Sequence, residues 1–76
     1  MKTVTIKLSM AENVKKFVSI VNSFPYEMDL RIGRHVVDAK SILGIFSLDL
    51  SKEIALDIHS EDCGDLLKAL DDFIIK

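Results

Sequence analysis

Few side chains in this sequence have the types and spacing that chemistry requires. His35 and His59 are its only histidines, the residue type that most often accepts or shuttles a proton or a phosphoryl group near neutral pH. Neither has a cysteine, histidine or carboxylate partner at a spacing typical of a metal site, so a solvated or edge-strand histidine is the expected role of each. His59 and Cys63 stand four apart, but they straddle a predicted strand end and helix start. The acidic residues Glu61, Asp62, Asp65, Asp71 and Asp72 read as the solvated side of a last helix rather than as a paired-carboxylate catalyst. Lys15 and Lys16 offer a small cationic pair in a predicted first helical turn, suited to water or to an acidic partner surface. Ser41 stands where a helix should begin, and its hydroxyl is a ready N-cap. No glycine-rich phosphate loop and no nucleophile triad is present, and neither a cofactor nor a metal is expected.

The elements that must position these residues are legible in the apolar periodicity. Val4, Ile6 and Leu8 alternate with polar residues as a strand does, whereas Val14, Phe17, Val18, Ile20, Val21 and Phe24 recur at helical spacing until Pro25 disfavours continuation. Tyr26 to Ile32 alternates again, and Gly33-Arg34 supplies a tight turn into His35-Val36-Val37-Asp38, which predicts a β-hairpin. Ser41 then precedes an apolar stretch, Ile42 to Leu50, read as a short second helix followed by a turn at Ser51-Lys52. Ile54, Leu56 and Ile58 form a last strand. Ser60 is expected to cap a third helix that has Glu61 and Asp62 in its first turn and buries Cys63, Leu66, Leu67, Leu70, Phe73 and Ile74. The order is β-α-β-β-α-β-α in a single domain, 1–76, of the α+β class.

The second helix carries more apolar side chains than one face can hide. Ile45 and Leu48, three apart, face the sheet; Ile42, Leu43 and Phe46 form a separate cluster that should lie at least partly exposed, as protein contact sites do.

At 76 residues, with 49% hydrophobic and 29% charged residues, the chain holds one two-layer core and no room for a deep cleft. A formal charge of −2 gives no cationic field for nucleic acid. A lone cysteine excludes an intrachain disulfide framework and fits a reducing compartment. The first residues lack a signal-peptide pattern and no segment approaches membrane-spanning length, so a cytoplasmic protein without membrane contact is expected.

The run Asp38-Ala39-Lys40-Ser41-Ile42-Leu43-Gly44-Ile45-Phe46-Ser47-Leu48 resembles the regulatory-serine segment of the HPr family of phosphocarrier proteins, which share this element order. The resemblance implies an HPr-like two-layer sandwich, an antiparallel four-stranded sheet with three helices on one face. Counted without gaps from Val4-Thr5-Ile6-Lys7-Leu8, the family's Gly-x-His-x-Arg-Pro loop falls on Ala11-Glu12-Asn13-Val14-Lys15-Lys16. The histidine position is Asn13, and the arginine and proline are replaced by Lys15 and Lys16. An amide has no nucleophilic ring nitrogen, so this similarity implies a relative that has lost histidine phosphotransfer and serves regulation or interaction rather than catalysis.

Ser9-Met10-Ala11-Glu12 has capping-box spacing, while Asn13 is itself a favoured N-cap; the resemblance favours Asn13 as the start of the first helix. It also makes Ser41 the candidate for regulatory phosphorylation, and it suggests HPr kinase/phosphorylase and a catabolite-control transcription regulator as partners. Two alternatives stay open: a carrier using His35 or His59, and a small α/β adaptor binding through Ile42, Leu43 and Phe46, as a monomer or a weak homodimer.

Overall fold

In the computed structural model, which describes residues 1–75, four strands form within the alternating segments, the first stopping at Ile6 instead of Leu8 and the second starting at Met28 instead of Tyr26. They are β1 (Lys2–Ile6), β2 (Met28–Ile32), β3 (His35–Asp38) and β4 (Ile54–Ile58). Every pairing is antiparallel and the sheet order is β1-β4-β2-β3. One rung, Val4-Leu56-Leu30-Val37, crosses all four strands on the face that carries the core, and the adjacent rung, Thr3-Asp57-Asp29-Asp38, crosses on the other. The architecture is therefore the expected α+β sandwich. β1 also has company on its outer side: Lys7 N–H donates to Phe73 O at 3.0 Å, Ile75 N–H donates to Thr5 O at 2.8 Å, and Ile6 bridges Ile74.

The helices are α1 (Ala11–Asn22), α2 (Ile42–Phe46) and α3 (Gly64–Ala69). α1 buries Val14, Phe17 and Val21, spaced three and four apart as one helix face requires, and Phe17 meets the edge of Phe73 at 6.2 Å between ring centres. At its end Ser23 returns its hydroxyl to Ile20 O, and Pro25 follows.

α2 and α3 are both shorter than the sequence suggests, for local reasons. Ser47 donates its hydroxyl to Gly44 O at 2.5 Å, Leu48 N–H turns back to Ile45 O, and Asp49 takes both the N–H and the hydroxyl of Ser51. These bonds stop α2 at Phe46 instead of Leu50. The expected cap of α3 at Ser60 is corrected as well. His59 N–H still donates to Glu27 O at 2.9 Å, so the chain remains bonded to the sheet one residue past β4 and needs 60–63 to cross to the helix layer. Cys63, 1% exposed, occupies the N-cap position rather than the helix body. Beyond α3, Phe73 and Ile74 belong to the returning segment beside β1, and with Leu67 they are half-buried rather than buried.

The β2–β3 turn is Gly33-Arg34, with Gly33 at φ +57° and Arg34 absent from the positive-φ residues, the pattern of a type II′ hairpin. A Cβ at Gly33 would meet nothing within 4 Å, so substitution there tests backbone strain alone. Gly33→Ala is expected to lower unfolding free energy by about 1 kcal/mol, read from urea melts, with Gly33→Asn costing less.

Candidate functional site

The link from β1 to α1 is a tight reversal built on one carbonyl. Ser9 has φ +69°, a left-handed value that is costly outside glycine, and Met10 N–H donates to Leu8 O at 2.8 Å across it, closing a three-residue γ-turn. The Asn13 amide donates from Nδ2 to the same oxygen at 2.6 Å. Ser9 N–H reaches Leu50 O at 3.0 Å, tying the turn to the segment that follows α2.

Helix α1 therefore begins at Ala11, with Met10 as an extended N-cap that makes no side-chain capping bond. Neither Ser9 nor Asn13 caps it, which corrects the reading that favoured Asn13. The Leu8 carbonyl explains the difference: Asn13 acts as a donor reaching backward instead of an acceptor for its own helix. Residues 11–16 are all helical, and Lys15 and Lys16 are exposed in the second turn rather than the first. They border an open groove of about 500 Å³ floored by Ile20, Ala69 and Phe73.

Ser41 is the N-cap of α2, as expected. It has extended backbone, φ −101° and ψ 108°, and its hydroxyl oxygen accepts Gly44 N–H at 3.2 Å. A Cβ on Gly44 would stand 3.3 Å from Val37 Cβ and 3.4 Å from Ser41 Oγ, so glycine keeps this corner open. Lys40 is held just before it, with its ammonium on Phe24 O at 2.8 Å and its N–H on Asp38 Oδ1. Ile45 and Leu48 are buried, while Ile42, Leu43 and Phe46 are 37%, 81% and 43% exposed. The second apolar cluster thus faces solvent.

The candidate residues do not converge. Asn22 Nδ2, at the C-terminal end of α1, reaches Lys40 O at 3.4 Å, whereas Ser9, before its N-terminal end, bonds to Leu50 beyond α2. The segment from Lys40 to Leu50 therefore runs antiparallel to α1 and places Ser41 at the opposite end from Asn13, roughly 13 Å along the axis at 1.5 Å per residue. Ser41 and the exposed apolar cluster share one short helix; Asn13, Lys15 and Lys16 form a separate group.

Sequence reasoning missed a polar network on the sheet face turned away from the helices. Asp57, 8% exposed, accepts Arg31 Nε at 3.0 Å and Nη2 at 3.3 Å, together with the Thr3 hydroxyl at 2.7 Å. The Arg31 guanidinium, seconded by Thr3, holds the Asp57 carboxyl below the ordinary aspartate range against the opposing effect of burial. Beside it His59 Nε2 lies 2.9 Å from Asp29 Oδ2, and Glu27, Met28, Asp38 and Lys40 complete the rim of a hollow of about 250 Å³. The signal was present in the polar phase of three alternating strands, but their pairing order is needed to see it. His35 is exposed on β3, and among the described residues no group of three or more His, Cys, Asp or Glu side chains is placed to hold a metal ion. No helix among them is long and apolar enough to cross a membrane.

Comparison with known proteins agrees with the architecture. Residues 2–76 match the family model described as "PTS HPr component phosphorylation site". HPr-C-His from Thermoanaerobacter tengcongensis is similar, with a TM-score of 0.79 at 32% identity over 95% of this chain and 89% of that one. So is the phosphocarrier protein HPr from Bacillus anthracis str. Ames, with a TM-score of 0.73 at 26% identity over 97% and 94% of the two chains. A search of curated proteins returned no match.

A depressed aspartate pKa stabilises the fold above the unfolded-state value and ceases to do so as pH falls through the folded one. Asp57→Asn is accordingly expected to cost about 1–2 kcal/mol at neutral pH. In urea melts across pH, its deficit against wild type should shrink below about pH 4, where the free aspartate also protonates.

Proposed function

The chain belongs to the PTS HPr family, whose members are phosphocarrier-type proteins rather than enzymes, and from that premise we propose that it is a regulatory or interaction protein of the phosphotransferase system that does not carry phosphate on histidine and is controlled through Ser41. The observation that carries this reading is Asn13: at the position where the ungapped count places the family's histidine, the side chain is an amide, lies inside α1, and is engaged with the Leu8 carbonyl. It has no ring nitrogen to phosphorylate, and Lys15 and Lys16 stand where the family motif has arginine and proline.

Ser41 supplies the alternative chemistry. Its hydroxyl is exposed at a helix start and already accepts one backbone N–H; a phosphate there retains an acceptor for that donor, so modification need not unfold α2. Ile42, Leu43 and Phe46 lie beside it, and their exposed surface suits a protein partner. By family likeness the partners are HPr kinase/phosphorylase and a catabolite-control transcription regulator, in the cytoplasm. The same apolar group is also the contact surface in the simpler reading of a small adaptor.

Incubation with ATP and HPr kinase is expected to add a single phosphate by intact-mass spectrometry, mapped to Ser41 and absent from Ser41→Ala, a variant that also loses about 1 kcal/mol of capping stability. No addition, with the kinase active on an ordinary HPr, would leave the adaptor reading. Incubation with phosphoenolpyruvate and the upstream phosphotransferase enzyme is expected to give no acid-labile phosphate on the wild type or on Asn13→His, because the substituted imidazole would sit in a helix without the family's flanking arginine and proline. Acid-labile phosphate on His35 or His59 would instead make the protein a carrier.

A further inference from the structure

The two edges of the sheet are treated differently. β1 is covered by the segment containing Phe73, Ile74 and Ile75, whereas β3 has no neighbour on its outer side among the described residues. An open edge presents unpaired N–H and C=O groups to any second strand.

The β2–β3 ladder fixes which groups are free. Across the hairpin, His35 pairs with Ile32, Val36 with Arg31, Val37 with Leu30 and Asp38 with Asp29, and the ladder continues inward with Ala39 N–H to Met28 O at 3.1 Å. Because direction alternates along a strand, Val37 and His35 also point their main-chain groups at β2, and Val36 points its N–H and C=O outward. The Val36 side chain, 57% exposed, stands on the face away from the helices.

Charge is unbalanced on either side of Val36. Along the polar rung Asp57 is answered by Arg31 and Asp29 by His59, but Asp38, opposite Asp29, takes only the backbone N–H of Lys40 and has no cation among the described residues. Like charges facing each other across a pair are unfavourable. Arg34, in the turn four residues earlier, makes no hydrogen bond or ion pair among the described residues.

We infer that β3 is a self-complementary edge that pairs antiparallel with β3 of a second copy about a two-fold axis at Val36. With Val36 opposite its own equivalent, the two outward N–H and C=O groups bond each other, and on each side of the axis Arg34 comes opposite Asp38 of the second copy. The four-stranded sheet becomes eight-stranded. The register is specified: a one-residue slip sets Val36 against Val37, whose side chain faces the helices, and a two-residue slip sets Val36 against Asp38 and leaves Arg34 without its carboxylate. A four-residue strand buries little area, so the dimer is weak and concentration-dependent.

Sedimentation of the full chain from about 10 µM to about 1 mM tests this, with circular dichroism checking the fold of each variant. The wild type is expected to shift from monomer to dimer. Arg34→Asp or Asp38→Arg alone should weaken the dimer about tenfold or more, and the two together should restore it. Val36→Lys should abolish it without loss of fold and serves if a charge variant misfolds, while Leu43→Glu should leave it intact. A wild type that stays monomeric, a dimer that survives Val36→Lys or is lost in Leu43→Glu, or a double swap that fails to restore association would overturn the proposal.

Discussion

β4 is paired on both of its sides, to β1 and to β2, and uses both of its faces. Ile54, Leu56 and Ile58 point into the core and are fully buried, while Asp57, between two of them, gathers Thr3 from β1 and Arg31 from β2 on the other face. A carboxylate that is 8% exposed needs charged and hydrogen-bonding partners to offset its lost hydration, and these two come from the two neighbouring strands. The register that seats the core is thereby the register that satisfies Asp57. A slip of one residue in either pairing would turn the apolar set outward and separate Asp57 from its partners.

Much of the fold was legible because the alternation is clean and the punctuation strong: Pro25 ends the first helix region, Gly33-Arg34 makes the hairpin, and Ser41 caps the second helix, all as read. The errors lie at helix boundaries where a side chain has two possible employments. Asn13 is an excellent cap in isolation, yet the Leu8 carbonyl competes for it; Ser60 is another, yet the ladder runs on to His59 and delays α3. Those competitors come from strand ends and cross-strand partners, which no local pattern reveals.

The candidate site was legible to a different degree. The exposed Ile42, Leu43 and Phe46 followed from helical spacing, since two apolar stripes cannot both face one sheet; Ser41 followed as an N-cap from its place before the apolar run, and as a candidate for modification only from the resemblance to the HPr family. The Arg31–Asp57–Thr3 network could not be read in advance, because its members are far apart in sequence and meet only through the order β1-β4-β2-β3. The separation of Asn13 from Ser41 likewise became visible only when the antiparallel run of the α2 segment along α1 was known. Asn13 is engaged by Leu8 and Ser41 stands at the far end of the helix, so the two residues share no direct contact.

The strand order also has a consequence for how the chain reaches this structure. β2 and β3 join through a two-residue turn and need close only a short loop. β1 pairs with β4 and with the Phe73–Ile75 segment, both from the far part of the sequence, and those pairings close longer loops at a larger entropy cost than the hairpin. The hairpin with β4 added to it is therefore the natural early sheet, and β1 docks late, together with the Phe73–Ile75 segment that covers its outer side. Transient opening of the native protein should follow the same seam, leaving the β2–β4 pairing among the last backbone hydrogen bonds to exchange with solvent.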